Sequence, residues 1–322
     1  VTERATEPTT SHQDAARRPR VAVIGLGDIA QKAYLPVLGA TPGLDLLFCT
    51  RDRPTLDRLG DAYRVAERFT SVGEVVAAGI DAAFVHAATP AHVDIVTELI
   101  EAGVHVYVDK PLAYDLADAE KLVRLAGERR RSLMVGFNRR YAPDYAALRD
   151  LPRDLVVMQK NRAGHPDDPR RVVFDDFIHV VDTLRFLAPG EVADVSIDVR
   201  VRDGLLEHVV LHLRGSSGAH EAANTDFTAI GIMSRVSGAS EESCEVIGGG
   251  AKRRVVNLAG VVDYSGTEAV GHRGDWVPVA RQRGIEQACQ EFLASVREGR
   301  LITADDALRT HALCEDIVAA AG

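Results

Sequence analysis

The chain holds a few residues whose types and spacing could bind a dinucleotide and move a proton and a hydride. Gly25-Leu-Gly27-Asp28-Ile29-Ala30 is a G-x-G-x-x-A turn that follows the apolar run Val21 to Ile24 and opens a helical pattern. There the first glycine permits a tight bend and the second removes a Cβ so that a pyrophosphate can reach the backbone. The small third residue lets helix pack on strand. The unpaired N–H groups of the helix start, with the positive end of its dipole, suit phosphate. A glycine turn that merely packs is the alternative, but the flanking strand and helix favour dinucleotide binding.

About 23 residues past Gly27 the second apolar run ends at Cys49-Thr50-Arg51-Asp52-Arg53. An NAD site places a carboxylate at this strand end for the ribose 2′-hydroxyl, whereas an NADP site places arginine there for the 2′-phosphate. Thr50 falls at the acidic position with Arg51 and Arg53 behind it, so NADP(H) is expected ahead of NAD(H). In the alternative, Asp52 takes the ribose and the arginines are simply solvated.

Asp109-Lys110-Pro111 closes another apolar run, where a lysine can set its ammonium beside a substrate hydroxyl and stabilise the alkoxide that forms as hydride leaves. Pro111 biases Lys110 to an extended backbone. Phe174 to Asp182 reads as a helix that puts Asp175, His179 and Asp182 on one face. A neutral imidazole can take a proton from a hydroxyl near neutral pH, with a neighbouring carboxylate fixing its tautomer. A solvated lysine and a helical ion pair are the bland alternatives. D-x-x-x-H has no third or fourth ligand at a recognisable spacing, so no metal is expected.

These residues need elements to position them. Apolar runs at Val21 to Ile24, Leu44 to Cys49, Ala82 to Ala87, Val104 to Val108 and Ser132 to Val135 alternate with helical patterns, clearest at His92 to Ala102 and Asp115 to Arg130. Runs apolar on both faces belong to a covered parallel sheet, and the alternation predicts a doubly wound α/β domain. After Asn138 come a strand at Leu155 to Gln159, a proline-flanked loop at Gly164 to Pro169, and a helix at about Asp175 to Leu187. Alternation from Val192 to about Pro278 predicts an antiparallel sheet with one covered face. Helices at Ile285 to Glu298 and Ala304 to Ala320 end the pattern. The expected division is a flexible tail over 1–20, a dinucleotide-binding domain over 21–138, and a substrate-binding and oligomerisation domain over 139–322.

Composition narrows the function. The chain has 322 residues, 46% hydrophobic and 26% charged, as in a soluble globular protein. Lys plus Arg number 38 against 47 Asp plus Glu, a formal charge of -9, which argues against nucleic acid as a partner. Cys49, Cys244, Cys289 and Cys314 form no C-x-x-C pair, and no apolar run is long enough to cross a membrane, so a cytoplasmic setting is expected.

In order and spacing, Gly25-x-Gly27-x-x-Ala30, Ala88-Thr89-Pro90 before His92, Asp109-Lys110-Pro111, Gly136-Phe-Asn-Arg-Arg-Tyr141-x-Pro143 and Asp175-x-x-x-His179-x-x-Asp182 resemble the Gfo/Idh/MocA family of NAD(P)-dependent oxidoreductases. Gln31 to Leu38 and Asp175 to Thr183 are especially similar to its MviM-type branch. The resemblance implies a Rossmann domain followed by an α+β domain on an open, mostly antiparallel sheet whose outer face forms a homodimer or homotetramer. It implies Lys110 beside nicotinamide and substrate, His179 as acid/base and Asp175 at its side. Ala88, Thr89, Pro90, His92, Asp109 and Asn138 would join the glycine turn around the cofactor. Apart from the resemblance, Lys160, near the proline-flanked loop, and Asp176, beside Asp175, are expected to join Lys110 and His179 around the substrate.

The implied reaction is hydride transfer between NADP(H) and a secondary alcohol or ketone of a sugar, sugar derivative or cyclitol. A redox-neutral NAD-dependent glycoside cleavage and a non-catalytic dinucleotide-binding regulator are the alternatives. The sequence departs from the family where Asp109 replaces a glutamate and Phe177 a glycine, and Phe177 is expected to narrow the substrate space. Arg139 and Arg140 are expected to be solvated or in salt bridges, with a sugar phosphate as the alternative partner, and Trp276 is expected in packing.

Overall fold

The computed structural model describes residues 17–216, 226–272 and 276–322. Its first sheet comprises β1 (Arg20–Ile24), β2 (Asp45–Cys49), β3 (Glu67–Phe69), β4 (Ala82–Val85), β5 (His105–Val108) and β6 (Leu133–Val135). All pair in parallel in the order β3-β2-β1-β4-β5-β6. The three-residue β3, half-buried throughout, has no apolar run to announce it and was not anticipated. The helical stretch 28–40 after β1 contains a π turn, Ala30–Tyr34, and then α1 (Leu35–Ala40). It is followed by α2 (Arg53–Tyr63), α3 (Val72–Ala77), α4 (His92–Glu101) and α5 (Leu116–Arg129).

The expected tail over 1–20 needs correction at its end. Residues 1–16 lie outside the described residues, whereas Arg20 opens β1 and holds Glu67 through two hydrogen bonds of 2.9 and 2.8 Å. A guanidinium can be strand-bound at a sheet's entry edge when a facing carboxylate neutralises it.

Two short helices, α6 (Pro143–Ala146) and α7 (Pro169–Val172), flank β7 (Leu155–Asn161), and a π turn at Val173–Phe177 leads into α8 (Ile178–Leu187). The strands β8 (Glu191–Arg202), β9 (Leu205–Ser216), β10 (Asp226–Ser234), β11 (Glu241–Gly248), β12 (Ala251–Val256), β13 (Gly260–Tyr264) and β14 (Glu268–His272) complete an eight-stranded sheet. Its order is β14-β13-β12-β11-β7-β10-β9-β8, antiparallel except where β7 lies parallel to β10. Burial alternates along β9, β10 and β11, the mark of one covered face. That cover is α8, which packs so closely that a Cβ on Gly231 would stand 2.7 Å from Val180 and 2.8 Å from Leu184.

Three helices follow, α9 (Val279–Gln282), α10 (Ile285–Glu298) and α11 (Asp305–Ala320). Cys289 and Phe292 of α10 share a core cluster with Phe84 of β4, Tyr107 of β5 and Met134 of β6. The cover on that half of the parallel sheet therefore comes from the far end of the chain, and the core is not divided at residue 138. Trp276 is 96% exposed, against the expectation of packing; it precedes α9 in a turn that reaches neither core cluster. Among the described residues no helix is long and apolar enough to cross a membrane, and the four cysteines are unpaired and buried.

Candidate active site

The loops that leave β1, β4, β5 and β6 are laced together at the carboxyl edge of the parallel sheet. His86 N–H donates to Ile24 O (2.7 Å), Asp109 N–H to Val85 O (3.0 Å) and Gly136 N–H to Val108 O (2.8 Å). This is the crevice where the strand order reverses, at which ligands of open α/β sheets bind. Gly25 has φ +87°, and a Cβ there would lie 2.6 Å from Ala87 N and 2.7 Å from His86 C, whereas no atom lies within 4 Å of a Cβ on Gly27. A bend only glycine can make thus leaves open space over the helix start, which is the shape a diphosphate needs.

A cavity of about 920 Å³ continues from this crevice to the second sheet, and Ile29, Thr89, Lys110, Lys160, Asp176 and His179 are among its lining residues. The ammonium of Lys110 donates to the carbonyl of Asp175 across the two sheets. Burial lowers the affinity of Lys110 for its proton, against the opposing pull of Asp175 and Asp176. Asp109 accepts from Tyr34 Oη (2.7 Å) and meets His86 Nδ1 (2.8 Å), which keep it ionised below its ordinary range although burial pushes it up. Each of its oxygens has a partner, so it positions the lysine's loop while also lining the cavity. His92 likewise spends both nitrogens on carbonyls, Pro111 O and Ala87 O, each at 2.9 Å.

His179 begins α8. Burial, reinforced by the positive charges of Arg139, Lys160, Lys110 and Arg162, holds its imidazole well below its ordinary value, so it is neutral at pH 7. The three acidic and basic groups expected on one helix face diverge. Asp175 gives both carboxylate oxygens to Tyr114 Oη (2.8 and 2.9 Å), and Asp182 binds Arg140 (2.6 and 2.9 Å) and Thr310 (3.1 Å) on the far side. The cause is the π turn at Val173–Phe177, whose wider winding breaks the spacing of a regular helix. Asp175 lines the cavity but leaves the His179 tautomer unfixed. The same turn buries Phe177 completely beneath the sheet near Gly231, so it does not narrow the cavity.

The wall facing His179 is built from charges. Asp176 accepts from Lys160 (2.6 Å), from Arg162 (2.7 and 2.9 Å) and from Arg235 (2.8 Å). Glu242 accepts from Arg139 (2.8 and 2.6 Å) and Tyr145 (3.0 Å). Burial would raise both carboxyls, but these cations hold them below their ordinary range. Lys160 is 4% exposed, and burial together with Arg139 brings it down to about 7.

Residues 19–137 match the model of an oxidoreductase family with an NAD-binding Rossmann fold, and residues 143–263 match a YceM-like C-terminal domain. YceM of Salmonella typhimurium, a protein named as an oxidoreductase, is 35% identical over 294 residues, covering 87% of this chain and 90% of its own. The myo-inositol dehydrogenase Hyg17 of Streptomyces leeuwenhoekii is 36% identical over 55% of this chain and 58% of its own. The crystal structure of the dehydrogenase MviM from Clostridium difficile superposes with a TM-score of 0.86 at 28% identity, covering 94% of this chain and 99% of the other. The chain belongs to the Gfo/Idh/MocA oxidoreductase family.

In this NAD(P)-dependent oxidoreductase the sequence-derived cofactor set is only partly gathered. Ile29, Ala88, Thr89, His92, Asp109, Lys110 and Asn138 line the cavity, and the Asn138 amide also donates to Arg283 O (2.7 Å). Gly25, Gly27, Asp28, Ala30 and Pro90 flank it, while Asp28 is tied to Lys32 (2.7 Å). Thr50, Arg51 and Arg53 stand beyond the cavity at the end of β2, with both arginines exposed. One oxygen of the exposed Asp52 carboxylate caps α2 through Thr55 N–H (3.2 Å). The residues a cofactor of this oxidoreductase would need therefore fit it: an open glycine bend, a lined crevice and a basic strand end.

Sequence reasoning missed Glu242, Arg235, Tyr34 and Tyr114. Glu242 gave one signal, a charge in the inward phase of a strand whose other inward positions are Cys244 and Val246. Lys160 breaks the phase of Val156 and Met158 in the same way.

Proposed function

We propose that this oxidoreductase transfers hydride between NADP(H) and a secondary carbinol or ketone of a sugar, sugar derivative or cyclitol. Residues 21–138 hold the nucleotide, and residues 139–322 supply the substrate wall and the oligomer contact. The observation that carries the reading is that Lys110, from the loop after β5, and His179, from α8, line one cavity beside the glycine bend. The name of its inositol-oxidising relative supports a polyhydroxylated substrate.

Bound nicotinamide would supply the hydride acceptor or donor. Lys110 gives one N–H to Asp175 O and keeps two for a substrate oxygen, whose developing negative charge it stabilises during oxidation. His179, neutral at pH 7, takes the hydroxyl proton and returns it in the reverse direction. Asp175 acts through its backbone carbonyl on Lys110. Thr50, Arg51 and Arg53 favour the 2′-phosphate of NADP(H): Thr50 stands where an NAD site places its carboxylate, and both arginines are exposed. The unpaired cysteines support a reducing, cytoplasmic setting.

The test is thermal stabilisation with each nicotinamide nucleotide, then turnover of sugars and cyclitols with the preferred one. Lys110→Ala and His179→Ala are each expected to lower kcat/KM by about a hundredfold or more, with nucleotide affinity nearly unchanged. Retained turnover in either variant removes that residue from the chemistry.

A further inference from the structure

We infer that the substrate carries an acid group, a carboxylate or phosphate on a polyhydroxylated frame, received by Lys160 and Arg162 beside the reacting carbinol. This rests on the hydride-transfer reading and specifies its substrate class.

The argument is a charge count on the substrate wall. Asp176 has three cationic partners, Lys160, Arg162 and Arg235. Glu242 has Arg139 at 2.6 Å, with Lys160 no nearer than 3.9 Å. Three arginines and Lys160, which is brought down to about 7 and so only partly charged at neutral pH, thus face two carboxylates. Lys110 adds a fifth basic group, bound to a carbonyl, and the nearby Asp175 carboxylate is turned to Tyr114. Of the other acids lining the cavity, Asp109 is held by Tyr34 and His86, and Glu241 is exposed and accepts from Asn161 (3.2 Å). Because Asp176 is shared among three cations, Lys160 and Arg162 have N–H donors to spare, and a charged acceptor satisfies them better than a neutral hydroxyl does.

Geometry places the receiver. Lys160 and Arg162 both reach Asp176 Oδ1, at 2.6 and 2.9 Å, so their heads converge on one oxygen. Arg162 uses Nε and Nη2 on Asp176 and retains Nη1, and Lys160 retains N–H donors of its own. Both side chains line the cavity, whereas the paired donors of Arg139 are taken by Glu242. The free donors therefore form a two-point seat for an oxyanion, the arrangement that suits carboxylate and phosphate. An anion there also offsets the cations that lower the basicity of His179.

The experiment measures binding of glucose, glucuronate and glucose 6-phosphate to the NADP⁺-saturated protein by calorimetry, with Arg162→Gln alongside. In that variant Asp176 keeps Lys160 and Arg235, and the melting temperature reports that the fold is retained. Glucuronate or glucose 6-phosphate is expected to bind at least about tenfold more tightly than glucose, and Arg162→Gln to remove most of that advantage. Whichever acid is preferred identifies the group. Glucose binding as tightly as both acids, acids that ignore Arg162→Gln, or no binding of either acid at millimolar concentration overturns the inference. Failure of NADP⁺ itself to bind is separate and counts against the hydride-transfer reading.

Discussion

Arg51 stands alone in its surroundings: it is exposed, and Asp52 beside it caps α2 with one oxygen. A guanidinium so placed suits a phosphate better than a ribose hydroxyl. Arg51→Ala is expected to weaken NADP⁺ binding about tenfold while moving NAD⁺ less than twofold, read by titrating each nucleotide. Equal effects on the two would assign the arginine to general electrostatics. At this scale the sequence was most legible where one residue type has one purpose. Gly25 could be understood from its motif because its backbone conformation excludes other residues. Asp175 could not, because side-chain direction after a π turn is set by winding that no spacing rule contains. Asp109 and His92 line the cavity, and their hydrogen bonds also hold the loops around it, a second task that the motif spacing does not announce.

Between elements, α11 is joined to the loop after β5 by one buried ring. His311 Nδ1 lies 2.8 Å from Ala307 O, and its Nε2 accepts from Leu112 N–H at 2.9 Å, two residues beyond Lys110. Burial brings this imidazole down to about 4, whereas in the unfolded chain it titrates near 6.5. Above pH 6.5 both states are neutral and the contribution is complete. As pH falls toward 4 the unfolded chain takes up a proton that the folded one refuses, and stability is lost by about 3 kcal/mol. His311→Gln keeps an acceptor for Leu112 without titrating, so denaturation midpoints from pH 6.5 to 4 should fall less steeply in the variant than in the parent. Parallel slopes would reject the assignment. The elements themselves were legible from apolar runs and alternation, apart from β3, whose three residues are too few for a periodicity.

For the molecule as a whole, the proposed oligomer contact falls on the uncovered face of the eight-stranded sheet. Leu155, Val157, Val210, Ile230, Ile232 and Ile247 all occupy its half-buried phase. Ile230 lies between Val157 and His212 in register. Ile230→Glu is expected to convert a homodimer or homotetramer to monomer in light scattering, because a carboxylate buried without a partner opposes association. An unchanged mass would exclude this face from the contact. The two-sheet architecture was legible in the order of patterns along the chain, but its shared core was not. Burial of α10 against β4, β5 and β6 joins residues about two hundred positions apart, and local periodicity carries no information on such pairing.

That long-range cover bears on how the protein is made. As the polypeptide leaves the ribosome, Phe84, Tyr107 and Met134 emerge well before Phe292, the residue that shields them. Until the last helices are synthesised the nucleotide half presents a naked aromatic surface, the kind of exposure that chaperones recognise and that drives nascent chains to aggregate.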